Sequence, residues 1–214
     1  MKKDTSELLQ NIMGILSGND FINSADVPNI DLYMDQVTSF MEDQLKSSKR
    51  YDEDKVLTKT MINNYAKSEL LPAPVKKKYS KEHLLLLTFI YYFKNILTMK
   101  DIELLLKPIT EKYFQADSKV TITSIYDEVC TFEKEHANLI QKDVELMFHR
   151  SLERFSSVDS EEQQSLQLFA FMCSLIFDIY AKKSLLEKLI DECFTPEVEK
   201  PEKEKEKEKK KKEK

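Results

Sequence analysis

The chain has 214 residues, 41% of them hydrophobic, and a formal net charge of −5. That is enough apolar mass for one large domain or two small ones. It holds only two glycines, Gly14 and Gly18, which excludes phosphate-binding loops built on spaced glycines and argues against a β-rich fold of tight glycine turns. Leu, Lys and Glu are abundant and favour helix, so an all-α body is expected.

The charge is uneven. In residues 55–100 nine lysines face only Glu69 and Glu82, a net +7, inside an otherwise acidic chain. Such an island is an electrostatic footprint for a polyanion, although a solvated lysine face gives the same pattern. Cys130, Cys173 and Cys193 are odd in number and widely spaced. They fit neither a disulfide framework nor a metal site, and a reducing, cytoplasmic setting is expected. The N-terminus lacks the apolar core of a signal peptide. No stretch is expected to reach the apolar length of a membrane span, so no membrane partner is anticipated.

In chain order, residues 1–27 are expected to form a short amphipathic helix over 5–17, capped by Gly18, and a loop. Asp31 is positioned to cap a second helix, whose apolar stripe is Leu32, Tyr33, Val37, Phe40, Met41 and Leu45. Thr58 opens a third helix, to about residue 68. Met61, Ile62, Tyr65 and Ala66 fall on its inner side. Lys59, Thr60, Asn63, Asn64 and Lys67 remain for the outer side, where Asn can bond adenine and Lys or Thr can meet phosphate or guanine. Solvation of a surface helix is an equally good account of the two asparagines.

Pro72 stops that helix. Residues 72–79 then form a Pro-restrained, extended loop in which Lys76, Lys77, Lys78 and Tyr79 are candidate phosphate contacts. Ser80 begins an unusually apolar helix to residue 96, and Thr98 caps another whose inner residues, Ile102, Leu105 and Leu106, precede Pro108. Beyond residue 117 the pattern changes. Ser124 and Asp127 suggest a capping box. Ile125, Val129, Phe132, His136, Leu139, Ile140, Val144, Met147 and Phe155 suggest the buried stripe of a long helix, with His136 as a core histidine. A further helix starts near Ser160, and residues 166–181 are too apolar for a lone surface helix. The Lys/Glu run 197–214 is expected to be disordered.

The strings LTKTMINNY, LLP, KKYSKEH and LTMKDIELLL together resemble the DNA-binding half of MerR-type regulators. The matching residues are Tyr65, Leu70, Leu71, Pro72, Tyr79, Ser80, Ile90 and Ile102. Asn63 stands where that family usually has Arg, and Glu69 and Ile96 where it has Gly. IDLYMDQVTSFMEDQL and LTKTMINNY are closer still to an uncharacterised bacterial group, domain of unknown function 1836. The resemblance spans residues 28–110 and implies a winged helix-turn-helix, with a recognition helix at 58–68 and a basic wing at 72–79. The expected function is sequence-specific binding of double-stranded DNA by a transcriptional regulator. The helical region 117–196 would then dimerise, sense a small-molecule effector, or both. The alternative is a protein-interaction module on the same scaffold. No nucleophile motif, metal spacing or cofactor motif is present, so neither an enzyme nor a cofactor is expected.

Overall fold

In the computed structural model of this chain, the residues described are 5–17 and 21–194. Gly18 and the charged run 197–214 lie outside them. The fold is all-α apart from two very short strands. Its elements are α1 (Thr5–Ser17), β1 (Leu32–Tyr33), α2 (Met34–Leu45), α3 (Lys59–Lys67), β2 (Lys78–Tyr79), α4 (Lys81–Phe93), α5 (Met99–Tyr113), α6 (Ile122–Leu152) and α7 (Ser160–Cys193).

α4 is the centre. Its residues 83–88, with Ile90 and Tyr91, are all buried, so no face is left for solvent. A helix apolar all round must be covered all round, and α2, β2 and α6 pack against it. Ser80 caps it, and the fourth residue of the capping box is His83, whose ring nitrogen accepts from the Ser80 N–H. Thr58 caps α3 and Thr98 caps α5, as the sequence suggests. One continuous core joins Ile22, Val37, Met41, Ile62, Leu71, Ile90 and Ile102 to Ile122, Tyr126 and Ile190. α1 lies on α6, and α7 touches α6 and α5.

Several expectations are corrected. Asp31 does not cap α2. Leu32 and Tyr33 form β1, paired antiparallel with Tyr79 and Lys78, and Tyr33 becomes the cap position. Leu32 is therefore buried through the sheet and Tyr33 is 54% exposed, because successive strand residues point to opposite faces. α4 ends at Phe93 rather than residue 96. α5 runs on through Pro108 to Tyr113. A proline there removes one backbone bond, and buried Ile102 and Leu106 hold the helix in place regardless.

α6 begins a turn earlier than expected. Thr121 is its cap, Ser124 is the box partner, and Ile122 is already in the core. The expected stripe of α6 is largely uncovered: Phe132 is 55% and Leu139 58% exposed. The buried residues are instead Ile122, Tyr126, Phe148 and Ser151. His136 is exposed, its ring 4.4 Å from that of Phe132, and is no core histidine. Phe155 lies beyond the helix end with φ 56°. α6 and α7 form a hairpin, closed by Gln167, whose Nε2 donates to the carbonyls of Leu152 (2.6 Å) and Arg154 (3.0 Å). α7 is also long and apolar enough, by length and composition alone, to cross a membrane, contrary to expectation.

Candidate nucleic-acid interface

α3 separates its residues as its periodicity demands. Ile62 and Tyr65 are buried, Met61 and Ala66 half-buried, and Lys59, Thr60, Asn63, Asn64 and Lys67 exposed. The Thr58 hydroxyl accepts from the Met61 N–H at 3.2 Å and fixes the first turn. Burial raises the Tyr65 hydroxyl above its usual pKa. Lys59 is not wholly free, since Asp35 of α2 forms an ion pair with it.

The exit from α3 needs a left-handed residue, and the chain supplies Glu69, at φ 62°. Its N–H returns to the Ala66 carbonyl, and the Leu71 N–H to that of Tyr65. This is the glycine-favoured position just past a helix end.

The lysine run is not extended. Lys76 and Lys77 have φ 50° and 63°. The Lys78 N–H donates to the Val75 carbonyl at 2.9 Å, and Val75 bridges Lys78 across the turn. Positive φ at both central residues is the requirement of a type I′ hairpin turn, normally met by Asn-Gly. The tip thus consists of two exposed lysines in a conformation L-residues disfavour by about 1–2 kcal/mol each.

The remaining two residues of the run divide. Lys78 is half-buried with its Nζ 5.1 Å from the centroid of the Tyr33 ring. Tyr79 is 2% exposed and belongs to the core, so it cannot meet a ligand; pairing with β1 turns it inward. It stands 5.5 Å from His83, whose ring also meets Phe114 at 4.7 Å. His83 Nδ1 lies 2.8 Å from the Ser80 hydroxyl. Burial holds His83 below its ordinary pKa, opposed in part by the backbone of Ala73 and Pro72.

A set of residues behind α3 escaped the sequence reading. The connection between α2 and α3 is long, and α4 pins it at two points. Tyr91 and Ser48 share a hydrogen bond of 2.6 Å between their hydroxyls. Lys94 Nζ donates to the Val56 carbonyl at 2.8 Å and stands 4.7 Å from the Tyr91 ring centroid. Burial lowers the pKa of Lys94. Glu42 pairs with Lys49, which holds its carboxyl below the usual range, and the Val56 backbone adds to that effect. The one clue in the sequence is a lone lysine three residues after Tyr91 at the end of an apolar helix. Among the described residues no group of His, Cys, Asp or Glu is placed to hold a metal.

The segment that carries all of these features is also the segment that is similar to known sequences. The family model described as "Domain of unknown function (DUF1836)" matches residues 22–129. The chain belongs to that family. The DUF1836 region takes in β1 through α5 and the first turns of α6, with the candidate interface near its middle. No curated protein and no solved structure matches the chain.

Proposed function

We propose that this DUF1836 protein binds double-stranded DNA as a transcriptional regulator. In this reading α3 enters the major groove, with Asn63 or Asn64 meeting a base, and the 75–78 hairpin touches backbone phosphates. The winged helix-turn-helix character belongs to the same proposal.

The observation that carries it is the hairpin tip. Two lysines occupy positions that Asn-Gly would fill without strain. Backbone strain concentrates where function holds it in place, and what lysine offers over Asn-Gly here is charge at the end of a long, solvated stem. The exposed polar face of α3 and the net +7 of residues 55–100 support the same reading.

A salt titration of binding to random duplex DNA tests it. Replacing the tip with Asn-Gly (Lys76→Asn with Lys77→Gly) should flatten the log–log salt slope by about 0.9 for each phosphate that is no longer neutralised. The same double variant should fold more stably, by about 1 kcal/mol. Opposite signs for binding and stability are the signature. Alanine at whichever of Asn63 and Asn64 meets a base should cost about 1–3 kcal/mol on a selected site and leave the slope intact. Unchanged binding by the double variant at low salt sinks the wing assignment. If selection from random duplexes enriches no sequence, a protein-interaction role replaces the regulator.

A further inference from the structure

α7 carries a large apolar surface that the described residues of its own chain leave open. Phe171 is buried against Phe148 of α6, with ring centroids 5.2 Å apart. Ile176, Phe177 and Tyr180 are 61%, 69% and 68% exposed. These residues form rows. Leu168, Met172, Ile176 and Tyr180 follow one another at a spacing of four. In the adjacent row, every fourth residue over 169–189 is apolar: Phe169, Cys173, Phe177, Ala181, Leu185 and Leu189. Neighbours at that spacing make one ridge on a helix surface, and two adjacent ridges enclose a groove.

We infer that this face is a two-fold interface with a second copy of the same chain, α7 crossing α7. The shape argues for a second copy. Ridges at i±4 fit grooves of the same kind at a crossing angle near −50°, and a two-fold mate presents the same ridges and the same groove. Cys173 and Ala181 alternate with larger side chains in the second row, which lets the two helices approach closely.

The area argues the same way. At about 200 Å² per fully exposed large side chain, Phe169, Met172, Ile176, Phe177 and Tyr180, which share one side of α7, present on the order of 600 Å². That is the upper end of the roughly 300–600 Å² of a monomer's largest apolar patch, and most of the about 800 Å² that a stable pair covers on each partner.

Charge selects against lipid. Asp178 lies within the apolar stretch 166–181, and the exposed Lys182 and Lys183 follow directly after it. A bilayer would have to take the Asp178 charge into its interior and hold the two lysines at its edge. In a crossing of two helices in water they stay at the rim, where Lys182 already pairs with Asp178 at 2.8 Å. The inference does not depend on DNA binding.

Sedimentation equilibrium of the full chain from 1 to 100 µM tests it. The wild type should be a dimer at 10 µM. Phe177→Lys and Phe169→Lys should each weaken association at least 100-fold. Both side chains are more than half exposed, so each variant should keep its helical circular dichroism and its monomer melting behaviour. Lys142→Glu, on an exposed part of α6, should leave the dimer unchanged. A wild type that is monomeric at 100 µM overturns the interface, as does a dimer that survives both lysine variants. A monomer that moves onto phosphatidylcholine–phosphatidylglycerol vesicles, and loses this with Phe177→Lys, assigns the face to lipid and also overturns it.

Discussion

α4 and α7 are both dense in Leu, Ile, Phe and Tyr, and they end in opposite surroundings. α4 is 13 residues long and sits inside a ring of neighbours, with eight consecutive or near-consecutive residues buried. α7 is 34 residues long and about 50 Å from end to end at 1.5 Å per residue. Among the described residues α6 and α5 are its main neighbours, and of its own described residues only Gln167, Phe171 and Ile190 are buried. Apolar density dictates that a helix needs cover. The number of neighbours within reach dictates whether the same chain provides it. The contrast follows the family boundary, since residues 22–129 include all of α4 and none of α7.

The sharpest way to break this contrast is to truncate one buried and one open side chain. Leu86→Ala in α4, at a fully buried position, should cost about 2–5 kcal/mol. Phe177→Ala in α7 should change the folding free energy of the monomer by no more than about 0.5 kcal/mol. Urea unfolding in a Phe169→Lys background measures both without the contribution of association. Comparable losses at the two sites would mean that α7 is covered within the monomer.

The next largest effect concerns the link from α4 to the start of α3. Lys94→Met should cost about 1–3 kcal/mol, because the Val56 carbonyl is left without its charged donor. It should also speed amide exchange over residues 56–62 more than over α5. Uniform exchange along the chain would show that Lys94 contributes only to global stability.

Glu69→Gly should stabilise the protein by about 0.5–1 kcal/mol, since the residue sits at φ 62°. A lower melting temperature would show that the Glu69 side chain holds something its conformation cost does not reveal.

The smallest effect, within an accessible pH range, comes from His83. Its folded pKa lies below the ordinary 6.5 because burial disfavours the cation. The unfolded chain therefore binds the proton more readily. Stability is fully present above about 6.5 and is lost as pH falls from there through the folded value. Unfolding at pH 7.5 and 6 samples only the upper end of that loss. His83→Gln keeps an acceptor for the Ser80 N–H and should show a flatter dependence. Equal slopes for the two proteins would remove His83 as the cause.

Local signals in the sequence carried a good part of this architecture. Thr58, Ser80 and Thr98 cap the expected helices because a cap is a bond between residues three apart. The inner and outer faces of α3 follow from a period of 3.6 and one buried side, so Ile62 and Tyr65 go in and Asn63 and Asn64 stay out. The tertiary structure alone decided the rest. Pairing of residues 32–33 with 78–79 joins segments more than forty residues apart. That pairing displaced Asp31 from its cap, turned Tyr79 into the core, and closed Lys76 and Lys77 into a left-handed turn in a chain almost without glycine. The stripe expected along α6 obeyed the helical period and still stayed largely exposed. Periodicity determines which residues share a face, but only the packing partners that reach that face determine whether water leaves it.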